Sequence, residues 1–103
     1  MQRVTLVRYT TKPGAAAENE KLSRAVFDEL RRKKQKGMAY ALLRDGDNFL
    51  HFFINTRAAD ADVLVELPTF KAFSAHNGER YVAAPEIIRA DMQLVESYGI
   101  AEP

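Results

Sequence analysis

Two unlike faces run along the segment from Met38 to Asn55, where side chains alternate in character on either side of Gly46-Asp47. A pair with glycine first suits the two-residue type II′ turn of a β-hairpin. That turn pairs Arg44 with Phe49, Leu42 with His51, Tyr40 with Phe53 and Met38 with Asn55. The period of two puts those eight residues on one face. The other face is Ala39, Ala41, Leu43, Leu50, Phe52 and Ile54, small and aliphatic, and is the face expected to receive helices. Exposed Tyr40, Phe49 and Phe53 would present roughly 450 Å², at about 150 Å² or more for each aromatic. A soluble monomer rarely leaves such a patch wet. The mixed aromatic face is therefore expected to be covered by a second subunit, a ligand, or both.

The pattern before the hairpin predicts a strand over Arg3–Thr10, rich in β-branched residues, broken at Lys12-Pro13-Gly14. Leu22, Val26 and Leu30, widened by Phe27, then give a helical stripe from Ala15 to about Lys34. Gly37 is placed to terminate that helix. After the hairpin, Ala58–Glu66 reads as a short helix with Asp60 as its N-cap. A further helix beginning at Pro68 or Thr69 carries Phe70, Phe73, Asn77 and Tyr81, with Gly78 weakening its second half. Ala83-Ala84-Pro85 breaks the pattern, and Asp91–Tyr98 alternates as the last strand. The order strand, helix, strand, strand, helix, strand is the split βαβ, or ferredoxin-like, α+β arrangement: a four-stranded antiparallel sheet with helices on one face. Residues 1–103 are expected to form a single domain, with no repeat or linker.

Composition narrows the classes of function. The 103 residues are 47% hydrophobic and 28% charged, with a formal net charge of +1. A chain this long can bury about two-thirds of its unfolded surface. Near-neutral charge argues against nucleic acid as a partner. The basic run Arg31, Arg32, Lys33, Lys34 and Lys36 reads as a solvated helix end that complements the helix dipole. There is no cysteine, which excludes disulfides, thiolate catalysis and Cys-based zinc sites. No apolar stretch approaches the ~20 residues of a membrane span, and no signal region precedes the first strand. A cytoplasmic enzyme or binding protein without a membrane partner is expected.

Four passages carry a resemblance to a known family. They are the strand closed by Lys12-Pro13-Gly14, the long helix ending near Gly37, the Tyr40-Ala41-Leu42-Leu43-Arg44-Asp45 strand end, and Pro68-Thr69-Phe70-Lys71-Ala72-Phe73 ahead of a terminal strand. Together they resemble the antibiotic biosynthesis monooxygenase-like proteins of the dimeric α+β barrel superfamily. The resemblance spans nearly the whole chain, and its motifs specify architecture better than chemistry. It implies a homodimer whose sheets join into a barrel, with a pocket against the sheet. Relatives include cofactor-free oxygenases of aromatic polyketides, haem-degrading enzymes and small-sugar isomerases. The haem-degrading pattern fails here: its strand Asn falls at Val7, its Trp is absent, and His76 is about two residues out of place. The Trp that assists some cofactor-free oxygenases is absent as well.

The candidate chemistry centres on His51, mid-strand between Phe49 and Phe53. Apolar surroundings lower an imidazole pKa and suit it to general-base work near neutral pH; otherwise it is an interface histidine. Tyr40 and Asn55 share its face and would orient a carbonyl or phenol. Phe49, Phe53 and Tyr9 would line the pocket, with His76, Arg80 and Tyr81 as a roof; Glu96 and Tyr98 are more distant candidates. Arg44 reads as a rim ion pair. No metal site or cofactor is expected, because neither His51 nor His76 has a carboxylate at ligand spacing. No nucleophile elbow, phosphate loop or dinucleotide fingerprint is present.

The leading expectation is a cofactor-independent monooxygenase-like homodimer acting on a small aromatic or enolisable molecule. His51 would be its base, and the resulting carbanion would react directly with dioxygen. The alternative is a non-catalytic small-molecule-binding or accessory dimer. A phosphosugar isomerase would need convergent cations, and Arg8, Arg44 and Arg80 are scattered.

Overall fold

The computed structural model describes residues 1–57 and 62–99. The elements are β1 (Gln2–Thr10), α1 (Ala16–Lys33), β2 (Met38–Asp45), β3 (Asn48–Asn55), α2 (Val63–Glu66), α3 (Pro68–Ala75), α4 (Asn77–Arg80) and β4 (Glu86–Met92). The expected Asp60 cap lies outside the described residues. The sheet order is β2-β3-β1-β4, with every neighbouring pair antiparallel. This is the α+β ferredoxin-like arrangement that the sequence pattern predicts.

The hairpin register is the expected one, from Asp45 opposite Asn48 to Met38 opposite Asn55. Gly46 takes a φ of 60°, while Asp47 stays at negative φ, as a type II′ turn requires. With the central β1 in register, Thr5, Val7 and Tyr9 stand on the same face as Phe53, His51 and Phe49.

That face is the one the helices cover, which corrects the expected assignment. The core cluster contains Tyr9 and Phe49 together with Val26 of α1, Leu64 of α2, Phe73 of α3 and Tyr81, and Tyr40, Leu42 and Phe53 pack against it. Large rings fill the gap between a sheet and its helices, whereas alanines there would leave voids. Among the polar tips of these rings, the Tyr9 hydroxyl finds a hydrogen-bond partner on α1, Asn19. The opposite face, with Val4, Leu6, Ala41, Leu43, Leu50, Phe52, Ile88 and Met92, carries no helix. Of its apolar side chains only Ile54 is buried, while Leu43, Ile88 and Met92 are each more than half exposed.

The end of α1 falls close to the expected Lys34, and two later boundaries differ from expectation. Helix α1 stops at Lys33, because Lys34 adopts the left-handed conformation (φ 52°) and Gln35 N–H closes onto the Leu30 carbonyl. The predicted long helix from Pro68 is two helices: His76 leaves helical geometry, and Tyr81 is already extended. The last strand is Glu86–Met92 rather than Asp91–Tyr98. Val82 N–H bonds to the Thr10 carbonyl at 2.9 Å, and Thr11 bridges Tyr81. The chain thus reaches β1 at its far end and must pair from there; a strand starting at Asp91 would arrive where β1 is nearly spent.

Candidate functional site

Four of the functional candidates, His51, Tyr40, Tyr9 and Arg80, converge on one buried polar chain inside the ring-filled layer. His51, projecting from mid-β3, is only 4% exposed. Its Nδ1 lies 2.6 Å from the Tyr40 hydroxyl and its Nε2 lies 2.7 Å from the Tyr9 hydroxyl. Asn19 of α1 donates its Nδ2–H to the Tyr9 oxygen at 2.7 Å. Arg80, at the end of α4, donates its Nε–H to Asn19 Oδ1 at 3.0 Å, and another of its N–H groups bonds to the Phe73 carbonyl. Ser23 anchors the same helix face by donating to the Asn19 carbonyl at 2.8 Å. Rings close around the imidazole, with centroids 5.4 Å away for Tyr9, 5.5 Å for Phe73 and 5.9 Å for Tyr40.

The direction of these bonds follows from donor chemistry. A guanidinium only donates, so the Asn19 oxygen faces Arg80 and its amide nitrogen faces Tyr9. Tyr9 therefore accepts from Asn19. Two proton arrangements fit the rest. In one, Tyr9 donates to Nε2, Nδ1–H donates to Tyr40, and the Tyr40 proton is directed outward. In the other, Nε2–H donates to Tyr9 and Tyr40 donates to Nδ1. The Tyr40–His51 pair is thus able to give a proton or to receive one.

Burial sets the electrostatics. Desolvation lowers the His51 pKa from 6.5 to about 4, so the imidazole is neutral at neutral pH. Desolvation also raises the Tyr40, Tyr9 and Tyr81 phenols above their ordinary value. The nearby Arg80 guanidinium and the Asn19 amide oppose that rise at Tyr9. Arg80 itself lies over Phe73, 5.1 Å from the ring centroid, where the π-face partly replaces lost water.

The sequence-predicted residues separate into two groups. His51, Tyr40, Tyr9 and Arg80 belong to the network. Phe49 is core, stacked on Tyr9 at 5.5 Å and lying under Arg44 at the same distance. Phe53 meets Tyr40 edge-on at 5.6 Å. Asn55 is buried, but it stands four residues along β3 from His51, roughly 13 Å at about 3.3 Å per residue. It lines a separate cleft of about 100 Å³ with Arg3, Thr5 and Arg89. His76 is exposed, with its Nδ1 3.7 Å from Glu79, and stands outside the network. Glu96 and Tyr98 are exposed beyond β4. Arg44 is the expected rim pair, 3.0 Å from Glu20.

Asn19 was not anticipated. Its signal lay in α1, where Asn19, Ser23 and Val26 fall at i, i+4 and i+7 on the buried stripe. Polar residues in register with a buried valine must meet polar groups on the sheet. The polar groups mid-sheet are His51 and its tyrosines.

Two members of the chain line surface clefts: Tyr9, beside Arg8, Asn48 and Val82, borders one of about 450 Å³, and Tyr40 borders another. With Phe27, Leu30 and Met38, Tyr40 lines a space of about 210 Å³ between α1 and β2. Among the described residues no group of three or more acidic, His or Cys side chains is placed to hold a metal, and no helix is long and apolar enough to cross a membrane.

A split βαβ sheet backed by helices on one face is a fold with close structural counterparts. The mycobacterial protein Rv0793 from Mycobacterium tuberculosis superposes with a TM-score of 0.77 at 17% identity, covering 93% of this chain and 100% of that one. A Nitrosomonas europaea protein provisionally named an antibiotic biosynthesis monooxygenase gives 0.76 at 12% identity, covering 93% and 94%. A Caulobacter crescentus protein provisionally given the same name gives 0.75 at 20% identity, covering 89% and 90%. The fold is thus the one shared by proteins carrying the antibiotic biosynthesis monooxygenase name, as the sequence resemblance implies. No protein-family model matches the chain, and no curated protein matches it in sequence.

Proposed function

We propose that the protein is a cofactor-independent, monooxygenase-like enzyme acting on a small aromatic or enolisable molecule. The observation that carries this reading is Tyr40, which bonds a neutral imidazole at 2.6 Å and also lines a cleft. A proton leaving an acidic substrate C–H passes to the Tyr40 oxygen while the Tyr40 proton moves to Nδ1. The imidazolium so formed lies between two phenol oxygens. The substrate carbanion adds dioxygen, the peroxide anion takes a proton back from the imidazolium through Tyr40, and the resulting hydroperoxide loses water. A methylene has then become a carbonyl: it gives up two hydrogens and gains one oxygen atom, and the other oxygen leaves as water. In this scheme Tyr40 touches substrate and His51 works behind it. Structural neighbours named as monooxygenases support the class of reaction. The open apolar face supports a homodimer, because exposed patches of this kind mark association surfaces.

The test is oxygen uptake with dithranol, an anthrone with an acidic methylene, as the probe. Wild type is expected to accelerate uptake, and Tyr40→Phe and His51→Ala to lose at least about 10²-fold of that rate, the usual scale of general acid–base catalysis. Unchanged rates in both variants would sink the proposed roles.

A second reading, a non-catalytic ligand-binding or accessory dimer, is favoured by the closure of rings over His51. It predicts ligand binding with no acceleration of uptake above the spontaneous rate.

A further inference from the structure

One side of the core is the seam between α1 and β2, which is an edge strand of the sheet. Two clefts lie along it, of about 420 Å³ and about 210 Å³, and they share Phe27 and Arg31 in their linings. Their floor is Met38, Tyr40 and Leu42, alternate residues on one face of the strand, all half-buried. Their wall is α1, where Arg24, Phe27 and Arg31 fall at i, i+3 and i+7. Phe27 stacks on Tyr40 with centroids 4.3 Å apart and planes 28° apart, and the Arg31 guanidinium lies 5.9 Å from the Phe27 centroid. The combined space is in the range of small-molecule sites.

The charges around this groove are unequal. Arg24 and Arg44 share one carboxylate, Glu20, at 3.1 and 3.0 Å, and Arg31 holds Asp28 at 3.4 Å. Three guanidinium groups thus face two carboxylates. The Arg24 and Arg31 side chains are 72% and 74% exposed. Ion pairs so open to water contribute little to stability, so an incoming carboxylate can take over an arginine at little cost. A planar guanidinium above an aromatic wall also matches a carboxylate carried on a ring.

We propose that this groove binds a small planar aromatic carboxylate, its ring against Phe27, Tyr40 and Leu42 and its anion on Arg31 and Arg24. The proposal deepens the enzymatic reading, because it names the substrate class delivered to Tyr40. Its binding test, however, does not depend on turnover.

The experiment titrates ¹⁵N-labelled protein with 1-naphthoate and with its neutral isostere 1-naphthamide. Amide shifts are expected within 24–31 and 38–44. Arg31→Gln, at an exposed position, should weaken naphthoate about three- to fivefold, the upper scale of an exposed ion pair. Naphthamide should change by less than about twofold. Arg8→Gln, on the opposite sheet face, should leave both probes unchanged. Shifts confined to other segments, or equal effects of Arg31→Gln on the two probes, would overturn the groove. Naphthoate bound as described, with no oxygen uptake on any probe, would sink the enzymatic reading alone. Dithranol uptake with no naphthoate bound would sink the groove alone.

Discussion

His51 is buried among rings with no carboxylate beside it, and its pKa falls to about 4. The unfolded chain therefore binds more protons than the folded one between about pH 4 and 6.5. Stability from this residue is present above 6.5, declines as pH falls through that window, and changes no further below it. The loss is at most about 3 kcal/mol, because the two phenol oxygens can accept both N–H groups of the charged ring. Urea unfolding at pH 7.5 and pH 4.5 should show a larger loss for wild type than for His51→Gln. Carboxylates held low by arginines, such as Asp91 beside Arg3 and Glu20 beside Arg44, are common to both proteins and cancel in the comparison. Equal losses would mean that the imidazole is not buried as described.

Helix α3 has no side-chain cap of its own, and Pro68 occupies its first turn. Its start is held from another element. Glu29 of α1 accepts from Thr69 Oγ1 at 2.6 Å and from Thr69 N–H at 3.2 Å, with Lys33 at 3.4 Å. Free N–H groups at a helix start favour an anion. The Thr69 hydroxyl is the main reason that the Glu29 carboxyl stays below its ordinary range. Glu29→Ala should speed hydrogen exchange at amides 69–72 relative to β1. Thr69→Ala made in that background should cost less than it does in wild type, since the two share one interaction. Additive effects would rule out the staple. A sequence pattern shows α1 and α3 separately, but a cap reaching across forty residues becomes visible only once the helices are side by side.

The whole molecule presents its aliphatic sheet face outward, with Phe52 opposite Leu6 at the centre. If two copies meet there, Phe52→Lys places a charge in the seam and should yield a monomer by sedimentation at micromolar concentration. Its near-ultraviolet spectrum should stay that of the folded chain, since the aromatic interior is on the other side. A wild-type monomer at the same concentration would remove the dimer, while Tyr40, His51 and their cleft would stand unaltered.

Local rules were enough for much of this architecture. Gly46-Asp47 sets the hairpin register because the turn and the period of two act over neighbouring residues, and that register puts His51, Tyr40 and Phe53 on one face. The order of elements follows from patterns just as short. Which face the helices cover is a different kind of fact. Both faces of the hairpin are apolar enough to bury, and the choice turns on long-range fit: ring volume between the layers, and a hydrogen-bond chain in which Arg80 donates to Asn19 and Asn19 donates to the Tyr9 hydroxyl beside His51. The position of β4 is decided in the same way, by where Tyr81 and Val82 meet the end of β1. Tertiary packing alone made the imidazole an interior residue, because the helices seal the layer while Tyr40 of β2 and Tyr9 of β1 replace the water that its two nitrogens gave up.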